Sequence, residues 1–208
     1  MSTSALEQKK ALRKEVRARL KGLTAQDIQS QSQQVWERLF QLPEYQTCQS
    51  IGLFLSMPKG EIDTDPVLLD AVQKGKDIYV PEVGKNFEQA DMELRKVIKG
   101  DADDGKLFHT TWPRNKWGIP EPPAKLPMVT AQSGDLDLLV VPGLAFDTKC
   151  DRLGQGKGYY DRFIERMMTI KPPKLIAVGL DCQLVDRVPT QEYDRRMDMV
   201  ILPNQVLT

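Results

Sequence analysis

The richest chemistry in the sequence lies in one stretch, Val141-Pro-Gly-Leu-Ala-Phe-Asp-Thr-Lys-Cys-Asp-Arg-Leu-Gly-Gln-Gly-Lys-Gly-Tyr-Tyr-Asp161. Gly154, Gly156 and Gly158 alternate there, which lets the backbone approach an anion and aim its amides at it. Arg152 and Lys157 add full positive charges, and a helix predicted from about Tyr159 adds its positive N-terminal end. This is chemistry for phosphate. A Walker loop, however, needs Ser or Thr where Gly158 stands, and a dinucleotide fingerprint needs a small residue where Tyr159 stands. A charged glycine-rich turn is the bland alternative, but Arg, Lys and Asp at a strand-to-helix junction favour a ligand cradle. The single histidine, His109, excludes a mechanism built on several histidines. Three cysteines, Cys48, Cys150 and Cys182, form no CxxC, which disfavours a disulfide framework or a cysteine zinc site. Lys, Arg, carboxylates and backbone amides must do the work.

The elements that position this stretch follow from periodicity. Leu12, Val16 and Leu20 mark one face of a helix from Leu6 to Leu20, stopped by Gly22 and surrounded by Lys9, Lys10, Arg13, Lys14, Arg17 and Arg19. Thr24 with Asp27 starts a second helix, which ends before Pro43. Ile51 to Leu55 reads as a strand buried on both faces. Asp65-Pro66 opens a helix that Gly75 ends. Asp77 to Val80, Met92 to Ile98, Leu136 to Val141, Leu175 to Val178 and Met199 to Leu202 read as further strands, and Tyr159 to Met168 as a helix. Residues 100 to 135 lack periodicity, the mark of a functional loop or a wrap. Strands alternating with helices predict one α/β domain over residues 1–208, a mostly parallel sheet covered on both faces, with a helical pair over residues 1–42 packed on it.

Composition narrows the function classes. Twenty-nine basic and 29 acidic residues leave no net charge, so no general nucleic-acid footprint is present. No apolar run reaches the length of a membrane span. No nucleic acid, no membrane and a cytoplasmic location are expected, with a mitochondrial fraction as the alternative; small-molecule substrates and a monomeric state are expectations that composition itself does not set. Glu7 and Glu15 fit a mitochondrial targeting peptide poorly.

RLGQGKGYYD, preceded by VVPGLAFD, resembles the signature of the 5-formyltetrahydrofolate cyclo-ligase (5,10-methenyltetrahydrofolate synthetase) family. Lys9-Lys-Ala-Leu-Arg13, Phe54-Leu-Ser-Met…Gly-Glu61, Asn115-Lys-Trp-Gly-Ile-Pro-Glu-Pro122 and Val188-Pro…Tyr-Asp194 follow in the family's order and span nearly the whole chain. The resemblance implies an α/β/α sandwich like sugar-phosphate isomerases and CoA transferases. It implies ATP- and magnesium-dependent cyclisation of 5-formyltetrahydrofolate to 5,10-methenyltetrahydrofolate, with Lys157 catalytic. By the same resemblance, Lys9, Lys10, Ala11, Leu12, Arg13, Arg152, Leu153, Gly154, Gln155, Gly156, Lys157, Gly158, Tyr159 and Tyr160 line the ATP site. Leu55, Glu61 and Gln155 to Tyr159 touch folate, and Asp161 and Asp194 hold Mg2+. Gln155 stands where some members carry arginine, and the Met57–Glu61 loop is one residue longer than in some relatives.

Other readings stay open at this stage. The Lys9, Lys10, Arg13 face is either solvated surface or an ATP contact. Trp117 either plugs the core edge or stacks on a pterin in the folate site, and Glu61 either marks a helix entry or bonds pterin nitrogens. His109, Trp112 and the cysteines are taken as structural. Rival functions are a non-catalytic folate- or nucleotide-binding regulator and an isomerase or CoA-transferase-like enzyme.

Overall fold

The computed structural model describes residues 4–83, 91–97, 107–123 and 129–208. The chain begins with α1 (Ala5–Lys21) and α2 (Ala25–Gln41), each opened by a capping box, Ser4 with Glu7 and Thr24 with Asp27. In each box the hydroxyl accepts from the third amide while the carboxylate accepts from the cap's own. A short α3 (Pro43–Thr47) precedes β1 (Ser50–Gly52), α4 (Asp65–Gln73), β2 (Asp77–Val83) and β3 (Met92–Lys96). Next come β4 (Leu138–Pro142), a hairpin of β5 (Ala145–Phe146) and β6 (Arg152–Leu153), α5 (Tyr159–Met167), β7 (Lys174–Val178), β8 (Met199–Leu202) and β9 (Gln205–Leu207).

Seven strands form one sheet in the order β3-β2-β1-β4-β7-β8-β9. The inner five run parallel, while β3 and β9 close the edges antiparallel. Alternation along the central strands divides the core. Leu138, Val140, Ile176 and Val178 face one way, against α1 to α4, and Leu139, Val141, Leu175 and Ala177 face the other, against Phe163, Ile164 and Met167 of α5. Each strand therefore buries both faces, and the molecule is an α/β/α sandwich with a mostly parallel sheet.

One local expectation shifts, and two further features go beyond what the sequence suggests. The apolar run Ile51 to Leu55 is buried throughout, yet the strand stops at Gly52; after Leu53, whose amide still donates to the Tyr79 carbonyl, the chain leaves the sheet at the carboxyl end of β1 and enters the cleft wall. The hairpin β5–β6 and the edge strand β9 carry no periodicity long enough to read. Part of the loop from 100 to 135 lies outside the described residues; within it, residues 108–111 form a 3-10 turn that buries Phe108 and His109.

The order of strands decides where a ligand goes. From β1 the chain moves outward to β2 and β3 on one side, then returns to β4 on the other. The carboxyl ends of β1 and β4 therefore flank the switch point, where open α/β sheets bind ligands. Glu61 follows the first and the glycine loop follows the second.

Candidate active site

A cleft of about 2180 Å³ opens at that switch point. One wall is the loop 154–158. Gly156 (φ +103°) and Gly158 (φ +73°) hold left-handed backbone there, which a side chain would strain. Gly158 is also the N-cap of α5, so the positive end of that helix faces the cleft.

Helix α1 clamps this loop from outside. Lys9, Arg13 and Arg17 recur every four residues, hence on one face. Arg13 Nε donates to the Gly154 carbonyl at 2.9 Å, and Arg17 donates to the Gln155 side-chain oxygen at 2.7 Å. Gln155 thus has a use that arginine could not serve, because Arg17 needs an acceptor. A methyl group on Gly156 would stand 3.2 Å from the Arg13 guanidinium. Burial and the like charge of Arg17 pull the Arg13 pKa down, against Asp194. These crowded cations would be relieved by an anion.

Beneath them lie two ion pairs. Lys9, 5% exposed, meets Asp194 Oδ2 at 2.5 Å and Gln191 Oε1 at 3.2 Å. Arg152, 7% exposed, donates to Asp161 Oδ1 at 2.7 Å and to the Pro142 carbonyl. The Arg195 amide lies 3.4 Å from Asp161 Oδ1, so Asp161 and Asp194 share one corner. Their bonds go to Asp161 Oδ1 and Asp194 Oδ2, and among the described residues their second oxygens accept none. Lys157 is exposed in the cleft and pairs with no acid among the described residues.

The other end is drier. Leu55 and Phe54 form an apolar floor. Glu61 reaches the cleft but is so enclosed that lost solvation lifts its carboxyl to about 7, although the Met57 amide donates to it at 2.8 Å. The hydroxyl of the partly buried Tyr160 is pushed up by lost solvation and then by Glu61 beside it. Trp117 stands 43% exposed on the lip. Its turn is held by Asn115, which accepts from the Trp117 amide and donates to Glu121. Gly118, at φ +80°, packs against Pro58, joining the 113–121 turn to the loop bearing Glu61.

Of the residues singled out in the sequence, Lys9, Arg13, Leu55, Glu61, Trp117, Arg152, Leu153, Gly154, Gln155, Gly156, Lys157, Gly158, Tyr159, Tyr160, Asp161 and Asp194 all line this cleft. Lys10, Ala11 and Leu12 do not. The helical turn carries Lys10 and Ala11 to solvent and Leu12 toward the core. Arg17 and Gln191 line the cleft without having been singled out; the four-residue spacing from Lys9 marks Arg17, whereas nothing in the sequence marks Gln191. His109 also lines it, 3.0 Å from Asp65 but without an aligned hydrogen bond among the described residues.

Comparison with known proteins gives a consistent picture. A sequence profile described as the 5-formyltetrahydrofolate cyclo-ligase family matches residues 5–203. A probable 5-formyltetrahydrofolate cyclo-ligase of Schizosaccharomyces pombe is 31% identical over 86% of this chain and 87% of its own length. The 5-formyltetrahydrofolate cyclo-ligase of Escherichia coli is 30% identical over 92% of this chain and 98% of its own. Among solved structures, the 5,10-methenyltetrahydrofolate synthetase of Aquifex aeolicus superposes with a TM-score of 0.74 at 28% identity, covering 96% of this chain and 91% of that one.

Proposed function

The chain belongs to the 5-formyltetrahydrofolate cyclo-ligase family, and on that premise we propose how its cleft converts 5-formyltetrahydrofolate to 5,10-methenyltetrahydrofolate with ATP. The observation that carries the reading is the pairing of a cation-lined, glycine-rich loop with an apolar, carboxyl-bearing floor in one cleft at the switch point. One end suits a polyphosphate, the other a flat polar heterocycle.

The chemistry requires both. A formamide oxygen is a poor leaving group as hydroxide. Transfer of the γ-phosphoryl group to it breaks the terminal phosphoanhydride bond, forms an O–P bond and yields ADP and an iminium-like phosphate. N10 then attacks the activated carbon, its proton leaves, and inorganic phosphate departs with the formyl oxygen. The residues contribute position and charge more than covalent chemistry. Lys157 neutralises charge growing on the transferred group; Arg13 and Arg152, with the amides of 154–158, hold the phosphates. Leu55 and Trp117 bracket the folate rings, and Glu61, with its raised pKa, offers either a donor or an acceptor to pterin nitrogens.

Asp161 and Asp194 fit magnesium. Each keeps one carboxylate oxygen beside the phosphate loop, and Mg2+ favours one or two carboxylates with phosphate oxygens completing its shell. Bound there, the ion would neutralise phosphate charge, while Lys9 and Arg152 fix the carboxylates. The proposal includes action as a monomeric single domain over residues 1–208 in the cytoplasm; among the described residues no helix is long and apolar enough to cross a membrane.

Heavy-oxygen labelling of the formyl group tests the mechanism. After one turnover the label is expected in inorganic phosphate. Label in water with light phosphate would exclude phosphorylation of the formyl oxygen.

A further inference from the structure

The drier end of the cleft is built from two pieces of chain far apart in sequence. Glu61 stands on the loop after β1, and Trp117 on the turn over residues 113–121. Each piece is held together internally. The loop is closed at its base, where the Ser56 amide donates to the buried Thr64 hydroxyl at 3.1 Å and that hydroxyl donates to Ser56 Oγ at 3.3 Å. The turn is a miniature hairpin in which the Asn115 amide donates to the Ile119 carbonyl at 2.9 Å and the Glu121 amide to the Pro113 carbonyl at 2.8 Å. Inside it, Asn115 Oδ1 accepts from the amides of both Trp117 and Ile119.

The two pieces meet where Gly118 lies on Pro58. A methyl group on Gly118 would stand 2.8 Å from Pro58 Cγ and 3.2 Å from its Cδ, closer than carbon atoms pack. The proline ring fixes its own φ and cannot fold away from such a contact. Gly118 directly follows Trp117, and Pro58 belongs to the loop that carries Glu61. The closeness of this approach therefore decides how far the tryptophan stands from the carboxyl, since packed surfaces transmit a displacement rather than absorb it.

We propose that the seam between Gly118 and Pro58 is a positioning device that sets Trp117 and Glu61 at the separation needed to hold a flat ring between lip and floor. This rests on the folate reading above. Gly118 is a positioning residue, because it acts through its neighbour Trp117 rather than by touching substrate. Asn115 keeps the hairpin in shape so that the approach at Gly118 is passed on to Trp117.

Calorimetric titrations of the full chain with 5-formyltetrahydrofolate, and separately with ATP and magnesium, test the seam. Gly118→Ala is expected to weaken folate binding about tenfold, in the range of a lost aromatic stack. Pro58→Ala is expected to weaken it about threefold, and neither variant changes ATP affinity. In the double variant the added methyl takes space left by the ring, and folate affinity returns to within about threefold of the unsubstituted protein. Left-handed strain at position 118 is common to Gly118→Ala and the double variant, so the recovery reads the contact itself. Losses that multiply in the double variant would mean that turn and loop are placed independently. Equal losses for ATP would mean a general disturbance of the fold, and unchanged folate affinity in Gly118→Ala would leave the seam without a role. Each of these overturns the proposal. If thermal melts show Gly118→Ala unfolded, Pro58→Ala alone decides, and unchanged folate affinity there overturns it. Failure of the folate reading looks different, since the unsubstituted protein would then not bind 5-formyltetrahydrofolate.

Discussion

The two ends of the cleft treat charge in opposite ways. At the glycine loop, Arg13, Arg17 and Lys157 crowd together, and among the described residues only Lys9 and Arg152 beneath them form ion pairs with acids there. At the floor, Glu61 meets no cation among the described residues, and enclosure alone raises its pKa. The first end holds excess positive charge that a polyanion would satisfy. The second holds a carboxyl that changes protonation near neutrality and selects its ligand by hydrogen bonds and shape. A single cleft can thus keep two chemically different substrates in fixed register, which is what a two-substrate ligation needs.

Breaking the buried pair at the cation end should have the largest effect. Arg152→Ala leaves Asp161 beside the loop without its partner, at a cost of about 3 kcal/mol or more in stability; denaturant titration should record it, with activity lost as well. Lys157→Ala comes next and behaves differently. Exposed and without an ion pair among the described residues, it should leave the melting temperature unchanged while lowering turnover at least about a hundredfold. Near-normal turnover in a folded variant would reduce Lys157 to surface charge.

Changes at the floor should spare the nucleotide. Trp117→Ala should weaken folate binding about tenfold, in the range of a lost aromatic stack, with ATP affinity unchanged by calorimetry. Equal loss of both would point to collapse of the 113–121 turn. The smallest effect belongs to Glu61, a single carboxyl that pairs with no cation among the described residues. Its carboxyl titrates at about 7 in the folded protein and at the ordinary 4.5 when unfolded. Between those values the folded state binds the extra proton, so this group's contribution falls as pH rises through that window. Glu61→Gln should flatten that part of the stability–pH curve between about pH 5 and about pH 8. Asp137 provides the opposite slope: although burial pushes its pKa up, Lys171 and the Gln49 and Ser50 amides hold it at about 2, so its contribution is lost as pH falls from 3.8 toward 2.

Much of this was legible in the sequence for identifiable reasons. Thr24 with Asp27, Gly22 and Pro43 punctuate the first two helices, and apolar runs such as Leu138 to Val141 mark strands buried on both faces. The glycine loop announced its chemistry through residue type and spacing. What escaped depends on distance across the fold. The pairing of Lys9 with Asp194 spans 185 residues, and that of Arg152 with Asp161 depends on a two-strand hairpin too short to show a period. Both aspartates could be read as metal ligands, but not as already paired with cations. Lys10, Ala11 and Leu12 entered with their motif, although helical geometry turns them from the cleft.

The central claim is that both ends of this cleft act on one pair of substrates, and a single assay addresses it. The purified protein is mixed with 5-formyltetrahydrofolate, ATP and magnesium, and the long-wavelength absorbance of the methenyl product is followed alongside released phosphate. The account predicts that both rise together, one phosphate per methenyl group, and that neither rises when ATP or folate is omitted. Methenyl product formed without ATP, or phosphate released without folate, would contradict it.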